Sequence, residues 1–122
     1  MSPQQVIARR RAERAALIAR AERFAQDLDP QLGARAVVVF GSVARGDFNV
    51  WSDVDVLVVA ERLPERALDR LAALGKPPDA VEPVAWTPAE WRRQRRRSNP
   101  IAVEAVHDGV WLVGSPEALD DP

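Results

Sequence analysis

In the stretch Gly41–Val59, GSVARGDFNVWSDVDVLVV, a Gly-Ser pair is followed twelve residues later by two aspartates, Asp53 and Asp55, at the head of an apolar run. Val54, Val56, Leu57, Val58 and Val59 predict a buried strand with side chains alternating between its faces. Asp53 and Asp55 then point the same way, roughly 7 Å apart by strand rise. Two carboxylates on one face repel each other unless a positive charge sits between them. A hard cation with oxygen ligands resolves the repulsion, and Mg²⁺ suits it, because it takes one or two protein carboxylates and fills its other positions with water and substrate phosphates. An isolated Asp-x-Asp pair reads more simply as two acids projecting from a sheet into solvent; here the upstream neighbours change the balance.

Those neighbours begin with Ala36–Phe40, a second short apolar run, which ends where Gly41 permits a tight turn. A strand, a Gly-Ser turn and a short helix over Val43–Arg45 would aim backbone N–H groups and the Ser42 hydroxyl at an anion. Arg45 adds a forked donor suited to phosphate, and Gly46 ends the turn. Alone, Gly-Ser-x-Ala-Arg-Gly is compatible with an ordinary turn; joined to Ser52-Asp53-Val54-Asp55 it is far more specific.

The combined pattern, GSVARG then SDVDVLVV, resembles the minimal nucleotidyltransferases of the polymerase beta-like superfamily, whose motif is a Gly-Ser turn followed by a strand bearing two acids. The likeness extends through AVEPVAWTPAEW (Ala80–Trp91) and NPIAVEAVHDGVWLVG (Asn99–Gly114), and so covers residues 34–114. It implies an α+β nucleotidyltransferase fold: a small mixed sheet of about four strands flanked by helices. It also implies transfer of a nucleoside monophosphate, with AMP from ATP the expected case, to a hydroxyl with release of pyrophosphate. Two Mg²⁺ ions are implied, with Mn²⁺ as a substitute, held by Asp53, Asp55 and a third acid on a neighbouring strand. Position matching makes Glu82 that third acid, and gives Gly41, Ser42 and Arg45 the triphosphate. From the residues alone Glu82 lies between Val81 and Pro83 in an apolar stretch, where an acid is costly to bury without a partner or metal. An edge strand would also explain it, since Pro83 lacks an N–H. Asp79, just outside the apolar run, is the competing candidate.

Small members of this family often work beside a separately encoded helical HEPN protein, as antitoxin to its ribonuclease toxin, and some inhibit by binding rather than by catalysis, so a HEPN-type partner is a second implication of the resemblance. The alternative function is a non-catalytic, antitoxin-like or regulatory module that neutralises a helical partner by binding. The acceptor, whether a partner protein, an RNA or a small molecule, is not encoded in the motif. The chain has no tyrosine, which rules out self-modification on that residue.

Composition agrees with oxygen-ligand chemistry. There is no cysteine and one histidine, which excludes thiolate zinc sites and His-cluster sites within one chain. At 122 residues the sequence is read as one domain, with an N-terminal helical segment over 1–30, a motif-bearing core over 34–114 and a frayed acidic tail over 115–122. A formal net charge of −1 argues against a generally basic nucleic-acid binder. Five arginines, Arg92, Arg93, Arg95, Arg96 and Arg97, could nevertheless track a phosphate backbone. A solvated helix face packed through Trp91, or an acidic protein partner, accounts for them equally. No apolar stretch approaches the roughly 20 residues of a membrane span, nor does the N-terminus show a signal-peptide core, so a cytoplasmic location is expected.

Ser2, Pro3 and Gln5 read as cap, first-turn proline and capping-box partner of a helix running to about Leu28. Its apolar face, Leu17, Ile18, Ala21, Phe24, Ala25 and Leu28, is expected on the sheet, with Arg9, Arg10, Arg11 and Arg14 outside. A helix over Glu65–Leu74, the Glu82 strand, helices after Thr87-Pro88 and Asn99-Pro100, and a strand near Val110–Val113 complete the expected elements. His107-Asp108-Gly109 has the look of a helix C-terminus, where a cation is favoured, rather than part of a nucleophile triad with Ser42 or Ser98. Trp51, in the loop between the motif halves, reads as a packed or half-exposed indole, with contact to a base or a partner as the alternative, and Trp86 and Trp111 read as core.

Overall fold

Ser2 opens the first helix, α1 (Pro3–Gln26), with the expected capping box: the Gln5 N–H donates to Ser2 Oγ at 3.1 Å and the Ser2 N–H to Gln5 Oε1 at 2.8 Å. In this computed structural model, which describes residues 1–120, there follow β1 (Ala34–Phe40), α2 (Gly41–Arg45), β2 (Val54–Ala60), α3 (Ala67–Leu74) and β3 (Val81–Trp86). Helices α4 (Pro88–Arg96) and α5 (Pro100–Asp108), strand β4 (Val110–Val113) and helix α6 (Pro116–Asp120) complete the order. The class is α+β, with one four-stranded mixed sheet ordered β3-β2-β1-β4. Strand β1 runs antiparallel to both β2 and β4, whereas β2 and β3 are parallel.

Alternation along β1 and β2 feeds two cores, one on each face of the sheet. Val37, Val39, Val54, Val56 and Val58 pack with Ala21 and Phe24 of α1, with Val43 and with Phe48. Ala36, Val38, Phe40, Leu57 and Val59 face the other way, against Trp91, Ala102, Ala105 and Leu119. The central strands are covered on both faces, which is why they read as near-continuous apolar runs.

Three expectations are corrected. The tail over 115–120 is not frayed: Ser115 Oγ accepts the Ala118 N–H at 3.2 Å, and Leu119 is fully buried against the α4–α5 face. Residues 121–122 of that tail lie outside the described residues. Burial of Leu119 contributes about 1.5–3 kcal/mol to docking this short helix, and Arg35, which donates to the Ala118 carbonyl at 3.0 Å, Trp91 Nε1, 3.3 Å from Asp120, and Arg95, paired with Asp120, hold it as well. Second, Arg10 and Arg14 do not stay outside with Arg9 and Arg11; they reach across to α2 and the loop after it, as described below. Third, Trp86 and Trp111 are only half-buried, packed around the fully buried Trp91 with ring centroids 6.4 and 5.8 Å away.

The arginines of α4 divide. Arg95 pairs with Asp120 and stands over the Trp91 ring at 5.9 Å, while Arg92 donates to the Leu119 carbonyl at 3.5 Å. Both therefore face α6. Arg93, Arg96 and Arg97 carry no ion pair among the described residues. His107 lies in the last turn of α5, exposed, with Nδ1 2.9 Å from Asp108. No described helix is long and apolar enough to cross a membrane.

Candidate active site

The end of β1, the start of β2 and the start of β3 meet at one end of the sheet, and the acids converge there because of register. Asp55 pairs with Phe40 on one side and with Glu82 on the other. Paired residues on neighbouring strands share a face, so Glu82 stands on the face that carries Asp55. Asp53, two residues before Asp55, lies at the mouth of the strand and is exposed, as is Glu82; Asp55 is half-buried. Asp79 belongs to the turn before β3, where its carbonyl accepts from Arg20 Nη1 at 3.3 Å. Ala80, next in that turn, takes a positive φ of 62°, and its carbonyl accepts the Val54 N–H, tying the start of β2 to β3.

Burial pushes the Asp55 carboxyl above the ordinary carboxylate range, and the nearby negative charges of Glu82, Asp53 and Glu104 push it further; Arg45 opposes the shift. Four acids therefore share one electrostatic neighbourhood. Among the described residues no three acidic or imidazole groups close into a ready-made ligand set. The donor set nevertheless fits a hard divalent cation: it is all oxygen, negatively charged, and raised in energy by its own repulsion.

Gly41 closes the back of this group. It adopts a φ of +75°, and a Cβ built there would lie 2.4 Å from Asp55 Oδ2, so only glycine allows the turn to approach that carboxylate. Ser42 is half-buried in the first turn of α2. Arg45, at the end of α2, is committed to carboxylates: Nη1 is 2.5 Å from Glu104 Oε1 and Nε 3.2 Å from Asp47 Oδ2. These two partners, with Asp47 the stronger, raise its affinity for its proton.

Two groups of residues at this site left no trace in the motif reading. Glu104 comes from α5, which packs on α2 and β1, and joins the acids through Arg45. Arg14 of α1 holds the far end of α2: its Nε donates to the Val43 carbonyl and its Nη2 to the Ala44 carbonyl, each at 2.9 Å. Arg10 extends the clamp, donating from Nη2 to Phe48 O at 2.7 Å and Gly46 O at 3.2 Å, with its guanidinium 4.0 Å from the Phe48 ring centroid. Carbonyls at a helix C-terminus lack intrahelical partners, and a cation placed there also meets the negative end of the dipole. The helix carrying Gly41 and Ser42 is thus fixed from α1, and its outer side from α5.

Comparison with known proteins adds to this geometry. A solved structure of a provisionally named nucleotidyltransferase from Sulfolobus solfataricus superposes with a TM-score of 0.62 at 21% identity, covering 84% of each chain, which is a likeness of fold. A chain from a crystal structure of a toxin-antitoxin with AMP-PNP aligns over 84% of this chain and 77% of its own length, at 18% identity and a TM-score of 0.49. A protein of Methanocaldococcus jannaschii, provisionally named a protein adenylyltransferase, is 51% identical over 35 residues, or 29% of this chain. That match spans about a quarter of the length of the curated relative. The family model for the nucleotidyltransferase domain matches residues 18–98, from the middle of α1 to just beyond α4, with the Gly-Ser turn and all three strand acids inside it. The chain belongs to the nucleotidyltransferase domain family.

Proposed function

We propose that this chain transfers AMP from ATP to a hydroxyl of a partner protein, releasing pyrophosphate. The observation that carries the reading is the β2–β3 register, which sets Glu82 opposite Asp55 on the strand that also presents Asp53, with Gly41 against the Asp55 carboxylate. The choice of AMP and of a protein acceptor is supported by the name of the Methanocaldococcus relative, over the 35 aligned residues.

Asp53, Asp55 and Glu82 would hold Mg²⁺, which supplies neutralisation of triphosphate charge and acidification of the acceptor hydroxyl. Gly41 and Ser42 would hold the outer phosphates through backbone N–H groups and the Ser42 hydroxyl. Arg45 is the cation beside them, and reaching a phosphate would require it to exchange one of its carboxylate partners. The acceptor oxygen forms a bond to the α-phosphorus as the bond from that phosphorus to the bridging oxygen of pyrophosphate breaks. The hydroxyl proton is lost to solvent or to a neighbouring acid. A role as antitoxin to a HEPN-type protein is compatible with this chemistry, since modification of the toxin would inactivate it.

The test is incubation with Mg²⁺, each nucleoside triphosphate labelled at the α-phosphate and a lysate of the host, beside an Asp53→Ala, Asp55→Ala variant. Protease-sensitive label that depends on the unmodified acids and on ATP is expected. Absence of transfer from any triphosphate, with the fold verified by circular dichroism, would refute the transferase reading in favour of a binding module.

A further inference from the structure

Beside the acids stands a feature with no part in that chemistry. Val50 and Trp51 are 81% and 87% exposed at the tip of the turn between α2 and β2. The indole is bare, contrary to the packed or half-exposed ring expected from sequence. The turn that carries it is closed by local hydrogen bonds: the Asn49 N–H donates to Ser52 Oγ at 2.9 Å, the Trp51 N–H to Asn49 Oδ1 at 2.8 Å, and the Ser52 N–H to the Asn49 carbonyl at 3.0 Å. Phe48, buried beneath the Arg10 guanidinium, roots it in the core. Trp51 is two residues from Asp53, so their Cα atoms are at most about 7 Å apart. Whatever covers the indole therefore stands within reach of the acids.

We propose that the Val50–Trp51 tip is the docking knob for the protein that accepts the nucleotide, a folded polypeptide whose apolar pocket lies close to its own reactive hydroxyl. This rests on the transferase reading. A nucleobase is held in a concave site with polar groups reading its edge, and an indole bare on both faces offers no such cleft. A single-stranded nucleic acid would stack on an aromatic side chain only with cations alongside its backbone. Here Asp53 flanks the tip, Asp47 and Arg45 are paired with each other, and the arginines on the neighbouring face of α1, Arg10 and Arg20, donate to backbone carbonyls, with Glu13 beside Arg20. A small hydroxylic acceptor would cover little of a surface on the order of 200 Å². A convex tryptophan on a hydrogen-bonded turn, with a β-branched neighbour, is the form of anchor that fills a pocket across a protein interface. Asp53 beside the tip calls for a partner pocket rimmed by neutral or basic side chains.

The experiment uses the full chain, Mg²⁺, α-labelled ATP and host lysate, with Trp51→Ala and Trp51→Phe variants. Affinity for ATP is measured separately by titration. Trp51→Ala is expected to bind ATP within about twofold of the unmodified chain and to label protein at least about 30-fold more slowly, the loss expected of a hot-spot tryptophan. Trp51→Phe should recover part of the rate. Trp51 is the exposed indole among four tryptophans, so the iodide-quenchable emission is largely its own, and ATP alone should leave that emission unchanged. Unchanged protein labelling by Trp51→Ala overturns the proposal. So does weakened ATP binding with ATP-dependent quenching, which would make the indole a base platform. Nuclease-sensitive label, or label on the chain itself, would replace the partner protein with RNA or a second copy. If the unmodified chain labels nothing, the transferase reading itself fails, and this docking role with it.

Discussion

Replacing Arg14 by alanine should loosen the helix that presents Gly41 and Ser42 without touching either residue. The guanidinium makes two charge-assisted hydrogen bonds of 2.9 Å to the partly buried Val43 and Ala44 carbonyls. Such bonds contribute about 1.5–3 kcal/mol each, and the loss is less than additive because one side chain makes both and water can reach the freed carbonyls in part. The expected destabilisation is about 2–3 kcal/mol. For a domain of this size each kcal/mol lowers Tm by about 3–6 °C, so the variant should melt roughly 6–18 °C lower. Arg14→Lys keeps the charge at the helix C-terminus and loses the fork, and should retain about half of the stability. Thermal melts and urea titrations with unchanged m-values would measure both. A loss below about 0.5 kcal/mol for Arg14→Ala, or a lysine variant no better than alanine, would refute the clamp. Well below its Tm, Arg14→Ala should also bind Mg·ATP more weakly, since disorder in α2 has to be removed before the phosphates can be held.

Asp55→Asn should raise Tm near neutral pH, because burial and then Glu82, Asp53 and Glu104 hold the folded carboxyl above its ordinary range. The folded state binds that proton more tightly than the unfolded state, so the contribution of Asp55 to stability is full below the ordinary carboxylate range and is lost as pH rises through the elevated value. The gain in the variant should therefore shrink as pH falls; a Tm drop at pH 7 would refute the electrostatic account. Mg²⁺ should raise the Tm of the unmodified chain more than that of the variant, as measured by melts with and without the ion. Leu119→Ala, which empties a fully buried position under Trp91, should cost about 2–4 kcal/mol in a urea titration. A near-neutral result would show that α6 is not part of the core.

The acids were legible because a strand's period of two fixes which side chains share a face, and the apolar runs at Ala36–Phe40 and Val54–Val59 carry that period in adjacent residues. Glu82 was reached only through the family pattern, since the Pro83 beside it argued equally for a plain edge strand, and β3 is in fact an edge. Arg14 and Glu104 could not be read, because their contacts to α2 and Arg45 join residues 29 or 30 and 59 positions apart. Nothing local distinguishes such an arginine from one on a solvated helix face. The tail misled in a similar way: Ala118 and Leu119 among acids are too little for any periodic signal, yet the buried leucine and the long-range bonds from Arg35, Trp91 and Arg95 order the segment. Trp51 failed in the opposite sense, since tryptophan is usually covered and here it stands exposed at the tip of the hydrogen-bonded Asn49–Ser52 turn.

The antiparallel β1–β2 pair joins strands separated by 13 residues, and that one contiguous segment contains Gly41, Ser42, Asp53 and Asp55. Glu82 arrives only when β3 pairs in parallel after the α3 crossover, and β4 returns to β1 from residue 110. Closing the shorter loop costs less chain entropy, so the ribbon holding two acids and the phosphate turn is expected to form ahead of the strand that supplies the third. In kinetic terms, substitutions in β1 and β2 should act mainly on the folding rate, and those in β3 mainly on the unfolding rate. The assembly of the site is then divided in time as well as in sequence.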